Sequence, residues 1–78
     1  MKVFIALKTD DEADISFLAG RLLELDGVEE AFELSGGLDI MLRVSSDSVS
    51  AMKQIIGRIK ATQGVKSTSS YLIIGERR

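Results

Sequence analysis

Two short stretches of this chain combine groups that could hold a small charged molecule. One is Gly36-Gly37-Leu38-Asp39, where a turn delivers a carboxylate to the start of an apolar run. The other is Gly64-Val65-Lys66-Ser67-Thr68-Ser69-Ser70, where a row of hydroxyls follows a glycine. A small zwitterion needs an acceptor for its ammonium and N–H or O–H donors for its carboxylate. Asp39 could be the acceptor. The hydroxyls and the backbone N–H groups around the glycines could be the donors. Each stretch also has a plainer reading: Asp39 as a turn aspartate capping its own loop, and Thr68 and Ser70 as ordinary cross-strand hydroxyl pairs.

Other chemistries are excluded by what the 78 residues contain. There is no His and no Cys, so the usual imidazole base, the thiolate nucleophile and the commonest metal ligands are missing together. Lys66 adjoins Ser67, but neighbours on a strand point to opposite faces and would not form a Ser–Lys pair. The acidic run Asp10, Asp11, Glu12, Asp14 lacks the alternating spacing and central glycine of a calcium loop. It reads as a helix start, where negative charge is favoured. Gly36-Gly37 lies between two strands, whereas a phosphate loop joins a strand to a helix. The net charge is −2, and Arg43, Lys60, Lys66, Arg77 and Arg78 alternate with acids rather than forming a stripe. The segment Asp39-Ile40-Met41-Leu42-Arg43-Val44 carries none of the aromatics that RNA-binding sheets present. No apolar run approaches the roughly 20 residues of a membrane span, and nothing resembles a signal peptide. The expectation is a cytoplasmic, non-enzymatic protein with no catalytic residue, metal or cofactor, and no direct contact with nucleic acid or membrane.

The elements that must position the two stretches are written twice, 37 residues apart. Val3-Phe4-Ile5-Ala6-Leu7 answers to Ile40-Met41-Leu42-Arg43-Val44. Ile15, Leu18, Ala19 and Leu22 answer to Met52, Ile55, Ile56 and Ile59. Gly20-Arg21 recurs as Gly57-Arg58, and Gly27-Val28 as Gly64-Val65. Each unit reads strand–helix–strand, so the pair specifies a βαββαβ sandwich, the ferredoxin-like arrangement of the α+β class. It is expected to form one domain over residues 1–78, with two helices on one face of a four-stranded antiparallel sheet. The predicted strands are 2–8, 28–34, 39–44 and 66–74. Thr9-Asp10-Asp11-Glu12 has capping-box spacing for the first helix, whose stripe is Ile15, Leu18, Leu22 and Leu25 and whose end is marked by Asp26-Gly27. Ser35-Gly36-Gly37 reads as a hairpin whose two glycines could supply positive φ angles. Ser45 to Ser48 offer N-caps for the second helix, with stripe Val49, Met52, Ile56 and Ile59 beside Ile55, ending at Gly64.

Two helices cover one face of such a sheet and leave the other open. The open face is expected to show Phe4, Ala6 and Met41, with Tyr71 and Ile73 from the last strand. Burying about 500 Å² of apolar surface is worth roughly 12 kcal/mol before association costs. A chain this short buries only about 60% of its unfolded surface, yet 45% of it is apolar. Both facts predict a homodimer through the open face.

The order of the two polar stretches, with a helix between them, resembles the effector domain of the Lrp/AsnC regulators. That family shows Gly-x-x-Asp before an apolar strand, then a helix ending in Gly-Val-x-x-Thr-x-Thr or -Ser. The resemblance runs from Lys2 to about Gly75. It implies an amino-acid-binding domain that dimerises through its sheets and assembles further, octamers being favoured, with free amino acid held as effector at the seams between dimers. Carried over, it places Gly36, Gly37 and Asp39 on the ligand turn and Thr68 and Ser70 at the hydroxyl positions. Val28 to Ala31, with Val28 and Ala31 as the contacts, would lie near the ligand side chain. The chain departs from the pattern at Gly37, where an acidic residue is frequent, and at Leu38, where an aromatic is frequent. The helix-turn-helix of the family is absent from these residues, which implies a stand-alone effector domain that could join full-length regulators in mixed assemblies.

The leading expectation is an amino-acid-sensing and oligomerisation module of transcriptional or metabolic regulation. Two alternatives stay open: a small dimeric α+β barrel enzyme of oxygenase or isomerase type, and a purely structural oligomerisation domain.

Overall fold

The computed structural model describes residues 1–78. Its elements are β1 (Lys2–Thr9), α1 (Ile15–Leu23), β2 (Val28–Glu33), β3 (Ile40–Ser45), α2 (Val49–Ala61) and β4 (Val65–Leu72). The four strands form one antiparallel sheet in the order β2-β3-β1-β4. This is the ferredoxin-like βαββαβ arrangement expected from the doubled pattern. These residues contain no helix-turn-helix, because both helices belong to the sandwich.

Alternation along β1 and β3 decides the two faces. Val3, Ile5 and Leu7 pair with Val44, Leu42 and Ile40, and all six are buried. Leu18, Ala19 and Leu22 of α1 and Met52, Ile55 and Ile59 of α2 close over them in a single core. The helix stripes are therefore narrower than their sequences suggested. Ile15, Leu25 and Ile56 pack at the margin, and Val49 is 56% exposed, because the first residue of α2 has not yet turned onto the sheet.

Capping differs from expectation in α1. Asp14, not Thr9, is the N-cap, and its carboxylate accepts the Phe17 N–H at 3.1 Å. Thr9 is still part of β1. In α2 the N-cap is Ser48, which accepts the Ala51 N–H at 3.0 Å. The two helices end at Leu23 and Ala61, four residues before Gly27 and three before Gly64.

Those turns carry the internal symmetry into packing. Gly27 and Gly64 occupy equivalent positions with φ of +93° and +101°, where an L side chain is strained. A Cβ at Gly27 would stand 2.5 Å from Ile55 Cδ1 and 3.0 Å from the Ser45 carbonyl oxygen, and one at Gly64 would stand 3.2 Å from Leu18 Cδ2. Leu18 and Ile55 are themselves equivalent in the repeat, so each half presses a helix residue onto the other half's glycine. Backbone bonds repeat the exchange: Asp10 N–H donates to the Gly64 carbonyl at 2.8 Å, and Ser45 N–H to the Gly27 carbonyl at 2.9 Å.

Candidate functional site

The β2–β3 connection brings Asp39 to the end of the central strands. It is longer than a two-residue hairpin. Leu34 N–H donates to the Asp39 carbonyl at 2.9 Å, and of the two glycines only Gly36 takes a positive φ. The tight double-glycine turn expected from the sequence is thus replaced by a wider loop, with open space around Gly36 and Gly37.

Asp39 does not cap its own loop. The β1–β3 ladder ends at Leu7–Ile40, leaving the Thr9 N–H without a backbone acceptor. The Asp39 carboxylate fills that place: its Oδ2 accepts the Thr9 N–H at 2.9 Å and the Thr9 hydroxyl at 3.1 Å. Asp39 N–H in turn donates to the Leu7 carbonyl at 3.2 Å. The side chain is half-buried, and its other oxygen, Oδ1, receives no donor from the chain. What remains is an anchored anion with one acceptor oxygen that the chain leaves without a donor.

The hydroxyls stand on the opposite side of β1. Thr68 pairs with Leu7 and Ser70 with Ile5, so both point to the helix side of the sheet at its β4 edge. Thr68 is half-buried and Ser70 exposed. Thr68 lines a shallow groove of about 280 Å³ with Lys60, Val65, Lys66 and Ser67. Neither lysine has a carboxylate partner among the ion pairs of the chain, so the groove offers two free cations and the Thr68 hydroxyl. The sequence did not single out Lys60, which comes from the end of α2 and meets β4 only through the fold. With β1 between them, the backbones of Asp39 and Thr68 are two strand spacings, about 10 Å, apart.

Val28 and Ala31 lie elsewhere. Val28 is 8% exposed and pairs with Val44, at the far end of the sheet from Asp39. Ala31 is half-buried on the core face opposite Leu42. One protomer therefore brings together Gly36, Gly37 and Asp39, and separately Thr68 and Ser70, but does not bring Val28 to either group. The largest groove, about 510 Å³, runs between Asp10, Asp14, Phe17 and Arg21 on one side and Thr62 to Gly64 on the other. It includes Gly64 but none of Gly36, Gly37, Asp39, Thr68, Ser70, Val28 and Ala31. No three His, Cys, Asp or Glu side chains gather as a metal site.

The open sheet face is built as alternation requires. Phe4 pairs with Arg43 and Tyr71, and Ala6 with Met41 and Ser69. Phe4 is 36% and Tyr71 56% exposed, and Met41 and Ile73 are intermediate. Ala6 corrects the expectation. It is only 1% exposed, because a methyl group on a central strand is covered by its larger neighbours, and it adds no surface. Phe32 adds surface instead: it pairs with Met41 and is 43% exposed. Arg43 lies in the same face with its Nε buried and without a hydrogen-bond acceptor. Its other nitrogens reach Glu30 at 3.2 Å and Glu76 at 3.4 Å, with Glu29 3.7 Å from Nε.

Comparison with known proteins places this geometry. The model of the Lrp/AsnC ligand binding domain matches residues 2–77. A homocitrate synthase of Saccharolobus islandicus is 34% identical over 74 residues, which are 95% of this chain and 16% of that protein. The chain thus spans about a sixth of the length of this relative. Among known structures, AsnC of E. coli superposes with a TM-score of 0.85 at 24% identity, over 96% of this chain and 51% of that one. A Neisseria meningitidis transcriptional regulator in complex with L-Met gives a TM-score of 0.86 at 19% identity, over 99% of this chain and 51% of that one. The matching model describes ligand-binding domains, not a class of enzyme. With this sheet, this turn and a match over nearly its whole length, the chain belongs to the Lrp/AsnC ligand-binding domain family.

Proposed function

We propose that this domain binds a free amino acid and reports it through the assembly of copies of itself, in the cytoplasm and without touching DNA. The observation that carries the reading is the Asp39 carboxylate, fixed at an exposed turn with one oxygen left to accept. An α-ammonium matches that acceptor. The groove of Lys60, Lys66, Ser67 and Thr68 matches a carboxylate. The two charges of an α-amino acid hang from one carbon, so a single molecule is too short to span β1 between them. A second copy, bringing its own groove to the turn, resolves this. It also brings ligand side chains near residues that one protomer keeps apart, such as Val28 and Ala31.

The apolar face supports the first step of assembly. Phe4, Phe32, Met41, Tyr71 and Ile73 stand on one side of the sheet, and a two-fold copy would cover them. Dimers so formed assemble further, the octamer being the state we favour, with effector at the seams. Full-length regulators of the same family are candidate partners for mixed assemblies. The stretch of homocitrate synthase 34% identical to this chain favours a second form of the reading. In it, the same sensing module acts on a biosynthetic enzyme instead of a DNA-binding protein.

The test is calorimetric titration with each of the twenty protein amino acids, repeated on Asp39→Ala. At least one amino acid should give heat with the wild-type oligomer, and that heat should vanish in the variant. A folded oligomer that binds none of the twenty would remove the sensing role.

A further inference from the structure

Thr9 is the only polar residue among the buried ones, at 8% exposed. A buried hydroxyl needs a partner, and this one uses Asp39, 30 residues away in sequence. Hydroxyl and N–H of the same residue donate to the same carboxylate oxygen. Two donors from one rigid backbone position fix both the distance and the rotation of the carboxylate. The β-branched Thr9 side chain is itself held by packing at the strand end. That strand end is fastened on its other side, where Asp10 N–H donates to the Gly64 carbonyl at 2.8 Å. The β1–β4 register shifts by one residue between Lys8 and Thr9, yet Thr9 still pairs with Val65, so this end of β1 is held by β4 on one side and by Asp39 on the other.

We infer that Thr9 is the positioning residue of the effector site: it orients Asp39 so that Oδ1 faces the ligand ammonium. The inference rests on the proposed amino-acid reading and adds a residue that the sequence pattern assigned to a helix cap. Thr9 is buried and does not touch ligand. It acts by removing the rotational freedom that Asp39 would otherwise lose on binding. Its effect is therefore confined to the ammonium. A ligand with the same body and carboxylate but no amino group gains nothing from an oriented Asp39.

The experiment compares wild type, Thr9→Val and Thr9→Ser, each checked for folding by its thermal melt. The probes are the tightest-binding protein amino acid and the same acid lacking its α-amino group. Valine keeps the branch and the N–H bond but loses the hydroxyl. It should weaken binding of the amino acid about tenfold, the loss of one hydrogen bond to a charged group, and leave binding of the deaminated acid unchanged. Serine should restore the wild-type affinity. If Thr9→Val does not fold, Thr9→Ala carries the same comparison. Equal amino-acid affinity in wild type and Thr9→Val overturns the positioning role while the sensing role stands. Equal weakening of both probes also overturns it, since that marks a general loss of structure. If the wild type binds no amino acid at all, the sensing role fails and this role falls with it.

Discussion

Replacing Phe4 by Ala tests whether the open sheet face is an interface. A Phe side chain has about 200 Å² to bury, so the exposed 36% of Phe4 is about 70 Å². In a two-fold dimer the residue is used twice, once on each side. The apolar area lost from the interface is then about 140 Å², or about 3.5 kcal/mol at 25 cal/mol per Å². The dimer dissociation constant should rise roughly 300-fold. The buried part of Phe4 also supports the monomer, so stability and association must be read separately. Sedimentation equilibrium over a concentration series reads association, and denaturant unfolding at low concentration reads the monomer. Phe17→Ala is the control. Phe17 is 64% exposed but lies on the outer side of α1, so its loss should leave the dissociation constant unchanged. A Phe4→Ala protein that dimerises as tightly as wild type would refute the placement of the interface on this face. An equal effect of Phe17→Ala would refute the assignment of area to it.

Three further outcomes follow from the same geometry. Gly27→Ala should lose about 2–4 kcal/mol in denaturant unfolding, from the positive φ and the crowding by Ile55 and the Ser45 carbonyl. Gly36→Ala, with a positive φ but open space around it, should lose only about 1–2 kcal/mol. Arg43→Ala should change monomer unfolding by no more than about 1 kcal/mol, since its carboxylate partners are nearly half exposed. The same change should weaken the dimer at least about tenfold, because Glu30 and Glu76 would then face the covered sheet without a counter-ion.

Much of the fold was legible because two residue periods are hard to confuse. Val3, Ile5 and Leu7 and their repeats Ile40, Leu42 and Val44 alternate without exception, and Leu18 and Leu22 recur at helical spacing. What misled was local chemistry overruled at long range. Thr9 and Glu12 have the spacing of a helix cap, but the Thr9 hydroxyl is taken by Asp39, a contact that only strand register creates. Phe32 was missed for a related reason. Counted by twos from buried Val28, it falls on the core face, but a bulge between Val28 and Glu30 turns it outward. β4 was the least readable strand. Lys66-Ser67-Thr68-Ser69-Ser70 has no apolar alternation to say which face is which. So the sequence could propose Thr68 and Ser70 for a site without revealing that β1 separates them from Asp39.

That separation makes one measurement decisive: the molar mass in solution, across a concentration series, with and without a mixture of the twenty amino acids. A domain whose site is completed by another copy must be at least a dimer, and its effector must shift the distribution among larger assemblies. The result expected is a mass of twice 8.5 kDa or a higher multiple, redistributed by the mixture. A monomer at all concentrations, unchanged by amino acids, would contradict both the covered sheet face and the shared site.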